Sequence, residues 1–212
     1  MKKIKILIAD DHPIVRAGIK QILADTPDMV ASDEAGSGQE VLNLIRKKDY
    51  DVILLDISMP GRSGLEILKD LKKEKPKTSV LILSIYPEEQ YAIRALKAGA
   101  SGYLTKSSAP NELVSAIRKI SNGSRYITAA LAEKLASYFA MDLKKPLHET
   151  LSDREYQVML MIAAGKTVTE IAGELCLSVK TISTYRTHIL EKMYVKNNSE
   201  IARYAIQNNL LC

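Results

Sequence analysis

The chain has 212 residues, enough for two small domains, and 30 Lys/Arg against 25 Asp/Glu give it a formal net charge of +5. No apolar run approaches the roughly 18 residues that a membrane span requires, and carboxylates follow the first apolar run where a signal peptide would have small residues. The two cysteines, Cys176 and Cys212, indicate neither a disulfide framework nor a metal cluster. We therefore expect a cytoplasmic protein that works without a membrane, and nucleic-acid binding has to be argued from local arrangement because bulk charge is only mildly basic.

The first 120 residues alternate short apolar runs with amphipathic segments. We predict strands at 4–9, 29–35, 52–56, 80–84 and 100–104, and helices at 14–24, 39–47, 65–74, 88–98 and 111–120. This alternation favours a parallel sheet with right-handed crossovers and helices on both faces. We predict an α/β doubly wound five-stranded sheet with strand order 2-1-3-4-5.

The pattern changes after Asn122 and Gly123, and no further strand is predicted. A helix is expected over 128–140, followed by a linker over 141–150. Four more helices follow, since capping residues precede apolar periodic segments three times, at Ser152, Thr167 and Ser178, and the last helix covers about 199–208. We therefore predict a domain over 1–122, a linker with one helix over 123–147, and an all-α helix-turn-helix domain of four helices over 148–212.

Five polar residues stand at the ends of predicted strands. Asp10 and Asp11 follow the first strand, Asp56 ends the third, Ser84 ends the fourth, and Lys106 lies just past the fifth. Each alone has an ordinary interpretation as a helix cap, a turn residue or a solvated charge. Because ligand sites in open α/β sheets lie at the carboxyl ends of the strands, their common position predicts one site.

Three converging carboxylates require a cation. Two of them about 4 Å apart repel by roughly 4 kcal/mol at an effective dielectric constant near 20, and an all-oxygen site with few carboxylates suits Mg²⁺. We predict Asp56 as a nucleophile that forms an acyl phosphate, with the Ser84 hydroxyl and Lys106 holding the phosphoryl oxygens. The predicted metal ligands are Asp11, Asp56 and the backbone carbonyl of Ser58, together with Asp10, which binds directly or through water.

The segments IADDH, DVILLDISMPGRSG, LILSIY and AGASGYLTK resemble the receiver domain of two-component response regulators, over residues 1–122. The resemblance implies that a sensor histidine kinase phosphorylates Asp56, and that Ser84 and Tyr103 form a switch pair. In that switch the phosphoryl group draws the Ser84 hydroxyl inward, and Tyr103 turns toward the core into the space that opens. The alternative for Tyr103 is a half-buried aromatic side chain on an edge strand.

Two positions depart from the receiver pattern. Ser107 follows Lys106 where many receivers have a cis proline, so the sequence leaves the isomer of that peptide bond open. Ile85 follows Ser84 where a small residue is common. We hypothesise that Ile85 narrows the approach of water and lengthens the lifetime of the phosphoryl group.

The segment 179–193 combines an apolar face with an opposite face rich in hydroxyl groups, and a short capped helix precedes it across the turn Cys176-Leu177. An amphipathic helix with an ordinary solvated face is one interpretation. The context favours a helix-turn-helix whose second helix enters the major groove. Predicted base contacts are Ser183, Thr184 and Thr187, and predicted phosphate contacts are Lys180, Thr181 and Arg186.

Residues 148–210 resemble, as a whole pattern, the LuxR-type DNA-binding domain of the NarL/FixJ class of response regulators. The resemblance implies a homodimer on double-stranded DNA, an operator with two half-sites about one helical turn apart, and a dimerisation surface on the last helix. Cys176 takes a turn position where glycine is common, and we expect its small side chain to be buried. The predicted dimerisation residues are Ile201, Ala202, Tyr204 and Ala205.

The preferred interpretation is a transcription regulator, switched by phosphorylation of Asp56 and dimeric when phosphorylated. A rival is a doubly wound phosphatase or phosphotransferase with an aspartyl-phosphate intermediate. Such enzymes usually place a second acid two residues after the nucleophile, where this chain has Ser58, so we expect no turnover of an external substrate. A third interpretation is a binding module that works without phosphorylation.

Overall fold

A computed structural model describes residues 3–133 and 146–211, which form two compact units that divide between residues 132 and 133. The first unit alternates strands and helices. Its strands are β1 (Ile4–Ala9), β2 (Met29–Ala35), β3 (Val52–Asp56), β4 (Ser79–Ser84) and β5 (Gly102–Thr105). Its helices are α1 (Pro13–Ala24), α2 (Gly38–Lys47), α3 (Gly64–Glu74), α4 (Glu88–Lys97) and α5 (Pro110–Ser121).

The five strands are all parallel and lie in the order β2-β1-β3-β4-β5, which confirms the predicted topology. All five residues of β3 are buried, because helices cover both faces of the sheet and a central strand has no solvent side. The register places Asp56 beside Leu83 and Ser84 beside Thr105. The ends of β3, β4 and β5 therefore lie at one edge of the sheet.

The fifth strand begins two residues later than predicted, at Gly102 instead of residue 100. The backbone N–H of Ala100 donates to the carbonyl of Ala95, and Gly99 has a φ of +102°, so these residues end α4 before the strand can begin. A glycine in this conformation is the usual end of a helix. The start of β5 could not be read from hydropathy alone.

The segment after α5 runs along the edge of the sheet. Tyr126 forms an isolated parallel bridge with Gly102, and its backbone N–H donates to the carbonyl of Ser101 at 2.9 Å. Residues 129–133 are helical, and the rest of the helix predicted over 128–140 lies outside the described residues. The boundaries 1–122, 123–147 and 148–212 stay predictions, although residues 123–132 fall within the first unit.

The described part of the second unit is helical. A 3₁₀ turn at Leu147–Thr150 precedes α6 (Asp153–Ala163), α7 (Val168–Glu174), α8 (Val179–Lys192) and α9 (Asn198–Gln207). Reciprocal capping boxes open α6 at Ser152 and α7 at Thr167, as predicted, and the Ser178 hydroxyl caps α8. No helix within residues 3–133 or 146–211 is both long and apolar enough to cross a bilayer.

Candidate functional site

The site at the sheet edge is centred on one lysine between two buried carboxylates. The Lys106 ammonium lies 2.7 Å from Asp10 Oδ2 and 2.9 Å from Asp56 Oδ2. The side chains of Asp10 and Asp56 are 2% and 0% exposed, and that of Lys106 is 13% exposed. The structure thus brings Asp10, Asp56 and Lys106 together from the ends of three different strands, as the sequence predicts.

Burial raises the pKa of Asp56, and the nearby charge and hydrogen bond of Lys106 offset only part of this effect. Burial alone would lower the pKa of Lys106, but the charges and hydrogen bonds of Asp56 and Asp10 raise it overall. The lysine therefore stays protonated, and its positive charge compensates the buried carboxylates.

Four side chains at this edge could bind one cation. Single ligand atoms of Asp10, Asp11, His12 and Asp56 all lie within 4.8 Å of one another. Three of the four are carboxylates, the donors that suit a hard cation such as Mg²⁺. The donor set fits the predicted metal.

His12 is a neighbour of the site that the sequence prediction did not include. Its ring Nδ1 lies 2.8 Å from Asp11 Oδ1, and its backbone N–H donates to Asp10 Oδ1 at 2.9 Å. Its position directly after the two carboxylates was the available signal. The imidazole is 61% exposed and therefore lies at the rim of the site.

Ser58 contacts the predicted phosphoacceptor through its backbone, because its N–H donates to Asp56 Oδ1 at 3.1 Å. This bond fixes one carboxylate oxygen of Asp56 opposite the oxygen that faces Lys106. The Ser58 hydroxyl oxygen is buried and has no hydrogen-bond partner among the described residues. The role of the Ser58 carbonyl as a metal ligand stays a prediction.

Ser84 and Tyr103 are both fully buried. The Ser84 hydroxyl accepts a hydrogen bond from the backbone N–H of Tyr86 at 3.1 Å, and the Tyr103 hydroxyl donates to the Tyr86 carbonyl at 2.7 Å. Tyr103 therefore already faces inward, and burial raises its pKa. The half-buried alternative is therefore wrong, because the Tyr103 side chain is 0% exposed. The expectation that phosphorylation of Asp56 controls its inward position stays a prediction.

The two departures from the receiver pattern also have a place in the structure. The peptide bond between Lys106 and Ser107 is trans, which answers the question that the sequence left open. The Ile85 side chain is 66% exposed, next to buried Ser84. Its effect on the lifetime of the phosphoryl group stays a hypothesis.

The predicted DNA-reading face lies on α8. Ser183, Thr184 and Thr187 are exposed, whereas Ile182 and Ile189 on the opposite face are fully buried. The hydroxyls of Thr184 and Thr187 donate to carbonyls one turn earlier at 3.1 Å, a bond that holds each hydroxyl close to its own helix. Three hydroxyl side chains thus share the solvent side of one helix.

The three predicted phosphate contacts differ in their surroundings. Lys180 is exposed in the first turn of α8, and the Thr181 hydroxyl lies 2.8 Å from that of Ser178. The Arg186 Nε donates to Asn198 Oδ1 at 2.7 Å, which connects α8 to the first residue of α9. Arg186 therefore has a structural contact in addition to its predicted one.

The turn between α7 and α8 corrects one expectation. Cys176 has a φ of +53° and is exposed, so the prediction of a buried side chain was wrong. The left-handed backbone explains why glycine is common at such a position. The side chain is exposed at the end of α7, with its Sγ 3.8 Å from the Gly173 carbonyl oxygen.

The last helix, α9, corrects the expectation about the dimerisation surface. Ile201 and Ala205 are fully buried and Tyr204 bonds through its hydroxyl to His148, so Ile201 and Ala205 cannot form a dimerisation surface in this conformation. Both face the core of the unit, because a spacing of four residues places them on one side of α9. Ala202 and Tyr204 are partly exposed, and Ile206, which was not predicted, is 64% exposed.

Comparison with known families covers both units. The model described as the response regulator receiver domain matches residues 6–118, and the model described as bacterial regulatory proteins, luxR family, matches residues 149–205. The chain is 38% identical over 210 residues to the response regulator GacA of Pseudomonas aeruginosa, with 98% of each chain covered. It is 37% identical over 208 residues to the response regulator UvrY of Escherichia coli, with 98% of this chain and 95% of UvrY covered.

Solved structures give the same result. A structure of the Salmonella typhimurium response regulator RcsB matches with a TM-score of 0.70 and 27% identity, covering 98% of this chain and 99% of that one. RcsB bound to a promoter in the presence of the phosphomimetic BeF₃⁻ matches with a TM-score of 0.67 and 28% identity, covering 96% and 98%. The chain belongs to the two-component response regulators of the NarL/FixJ class, with a receiver domain followed by a LuxR-type DNA-binding domain.

Proposed function

We propose that this response regulator is switched by phosphorylation of Asp56, which accepts a phosphoryl group from a sensor histidine kinase in the presence of Mg²⁺. The observation that carries the proposal is the position of Lys106, within 3 Å of both Asp10 and Asp56 at a buried sheet edge. A lysine in this position can bind the free carboxylate before the transfer and the new phosphoryl oxygens after it. Both carboxylates are buried here, whereas the acids of an ordinary surface ion pair are exposed to solvent.

The transfer uses the Asp56 carboxylate as nucleophile. One carboxylate oxygen forms a bond to phosphorus while the bond between phosphorus and the kinase imidazole nitrogen breaks, and that nitrogen keeps the electron pair. Asp56 Oδ1 accepts a hydrogen bond from the Ser58 N–H and Asp56 Oδ2 accepts one from the Lys106 ammonium, so both carboxylate oxygens are held in place for the transfer. Ser84 directly follows Leu83, the residue paired with Asp56 on the neighbouring strand, and its hydroxyl would turn to the phosphoryl group by rotation about its side-chain bond.

Asp10, Asp11, Asp56 and the Ser58 carbonyl would hold the metal ion. When bound, Mg²⁺ offsets the negative charge that the carboxylates and the phosphoryl group bring together. The protein's contribution is to hold the three carboxylates close together despite their mutual repulsion, with Lys106 compensating part of the charge.

The proposed output is a homodimer on double-stranded DNA in the cytoplasm. Its support is the exposed hydroxyl face of α8, formed by Ser183, Thr184 and Thr187, together with the exposed Lys180 at the start of that helix. RcsB, which is similar over nearly the whole length, has been solved on promoter DNA with a phosphomimetic. A dimer would read two half-sites about one helical turn apart.

We propose further that the chain is not an enzyme for external substrates. Ser58 stands where a phosphatase of this chemistry would have a general acid, and a hydroxyl has a pKa too high for that role. The phosphoryl group would stay on Asp56 as a signal until it is hydrolysed.

Incubation with acetyl phosphate and Mg²⁺ tests the chemistry. Intact-mass measurement should show the addition of one phosphoryl group to the wild-type chain and none to Asp56→Asn, and addition of a chelator should prevent the reaction. Asp25→Asn, an exposed acid of the same unit, serves as the matched control. Equal labelling of Asp56→Asn, or release of phosphate by Asp56→Asn at the wild-type rate, would refute the proposal.

A further inference from the structure

The start of the linker is attached to the receiver at a position close to the switch residues. The Thr128 hydroxyl donates to Glu88 Oε2 at 2.6 Å, and it also accepts a hydrogen bond from the backbone N–H of Leu131 at 3.2 Å. Thr128 thus caps the helical residues 129–133 and binds the first residue of α4 at the same time. One side chain connects two elements that are 40 residues apart in sequence.

The backbone before Thr128 is attached as well. Tyr126 lies so close to β5 that a Cβ added to Gly102 would be 2.9 Å from the Tyr126 carbonyl oxygen. The Tyr126 N–H bonds to Ser101, and the Lys119 ammonium lies 5.8 Å from the centroid of the Tyr126 ring. The segment from Tyr126 to Thr128 therefore packs against the edge of the sheet.

Glu88 is joined to the switch by a short and stiff connection. Tyr86 is held at both backbone groups, since its N–H donates to Ser84 Oγ and its carbonyl accepts from the Tyr103 hydroxyl. Pro87, with its fixed φ, separates Tyr86 from Glu88, which begins α4. If the Ser84 hydroxyl turns to a phosphoryl oxygen, the Tyr86 N–H loses its acceptor, and the resulting shift of the loop has to move Glu88.

We propose that the hydrogen bond between Thr128 and Glu88 transmits the movement of the switch loop, residues 84–88, to the start of the linker. The inference rests on the proposed phosphorylation of Asp56. Thr128 and Glu88 act as positioning residues, because neither is among the residues that contact Asp56. The start of the linker then moves with α4.

Hydrogen exchange of the full chain, with and without BeF₃⁻ and Mg²⁺, tests this directly. In the wild type, BeF₃⁻ should change amide exchange by at least about fivefold both in residues 84–88 and in residues 124–133. In Thr128→Val and in Glu88→Ala the response of residues 84–88 should remain, and the response of 124–133 should fall below about twofold. Thr128→Ser, which keeps the hydroxyl, should restore it.

The variants separate coupling from simple loss of a helix cap. Thr128→Val removes both the cap and the bond to Glu88, whereas Glu88→Ala removes only the bond and leaves the cap intact. Ser124→Ala removes an exposed hydroxyl from the same segment and should behave as the wild type. Loss of the linker response in Thr128→Val alone would assign the effect to the cap and overturn the inference.

The remaining outcomes of the exchange experiment also test the inference. An unchanged linker response in both variants, or no linker response in the wild type while residues 84–88 respond, would overturn the inference and leave the phosphorylation switch standing. No response of residues 84–88 in the wild type would overturn this inference, whereas the proposed function fails only if Asp56 also takes up no phosphoryl group from acetyl phosphate.

Discussion

The Lys106 ammonium donates a hydrogen bond to Asp56 Oδ2 at 2.9 Å, although 50 residues separate the two in sequence. The same nitrogen lies 2.7 Å from Asp10, so two buried carboxylates share one cation. A buried ion pair of this kind contributes little net stability while it is intact, but it becomes costly when one partner is removed. The arrangement is therefore sensitive to any change in charge at Asp56.

We predict that Lys106→Met lowers the free energy of unfolding of the receiver by about 3–5 kcal/mol at neutral pH, because it leaves Asp10 and Asp56 without their cation. The pKa of Asp56 is already raised by burial, and loss of the lysine raises it further. A carboxyl group whose folded pKa lies above its unfolded value destabilises the fold when it is ionised. This destabilisation disappears as pH falls through the folded pKa. The defect should therefore shrink in acid.

Denaturant unfolding of the full chain at neutral and mildly acidic pH measures this effect. Lys77→Met, an exposed lysine of the same unit, should change stability by less than about 0.5 kcal/mol. A defect of Lys106→Met that stays constant with pH would contradict the explanation by uncompensated carboxylates.

We predict that Tyr103→Phe loosens the switch loop, since the bond from the Tyr103 hydroxyl to the Tyr86 carbonyl is lost. The expected cost is about 1 kcal/mol of stability, with faster amide exchange at residues 84–88. Tyr194→Phe is the matched control, because Tyr194 is 86% exposed. Unchanged exchange at 84–88 in Tyr103→Phe would show that the hydroxyl does not hold the loop.

A third prediction concerns the core of the DNA-binding domain, where the carboxylate of Glu155 is buried and bonds to the Lys192 ammonium at 2.6 Å. Burial alone would raise the pKa of Glu155, but the Lys192 and Ser152 hydrogen bonds lower it overall. The stabilisation that ionised Glu155 contributes is thus present above its unfolded pKa and is lost as pH falls through its folded pKa. We expect this domain to lose stability in acid.

Substitution of the lysine tests that prediction. Lys192→Met should destabilise the domain by about 1–2 kcal/mol at neutral pH, a figure reduced for the partial exposure of Lys192, and by less near pH 4. Lys196→Met, an exposed neighbour, is the control. Thermal unfolding across this pH range gives the comparison, and equal defects in both variants would argue against the ion pair.

A fourth prediction concerns Lys180, which is exposed in the first turn of α8. As a phosphate contact, Lys180→Ala should weaken DNA binding to a similar degree on all sequences and reduce the salt-dependence slope by about 0.9. Thr184→Ala should instead change which sequences are bound. Fluorescence anisotropy over a salt series measures both, and a sequence-selective effect of Lys180→Ala would reassign its role.

Much of this site followed from the sequence because hydropathy marks parallel strands well. Apolar runs that end in Asp10, Asp56 and Ser84 predict both the sheet and the edge where these residues meet. The resemblance to receivers added Tyr103 as a switch residue. His12 was missed although it follows Asp11 directly, because an exposed imidazole before a helix has many ordinary explanations.

Other features depend on packing that hydropathy cannot resolve. Apolar and aromatic residues at 201, 202, 204, 205 and 206 surround much of α9, so periodicity alone did not separate the buried face of Ile201 and Ala205 from exposed Ile206. The left-handed backbone of Cys176 belongs to the turn between α7 and α8 and leaves no signal in the hydropathy pattern. The partner of the inward-facing Tyr103 hydroxyl is the Tyr86 carbonyl, a main-chain group without a sequence signature.

The central claim is tested most directly by the affinity for DNA of the wild type and of Asp56→Asn, each with and without BeF₃⁻ and Mg²⁺. The duplex can be selected from a random-sequence library by the BeF₃⁻-treated wild type. The account predicts that BeF₃⁻ tightens binding of the wild type by about fivefold or more and leaves Asp56→Asn unchanged. Equal affinities of the wild type with and without BeF₃⁻, or the same gain in Asp56→Asn, would contradict it.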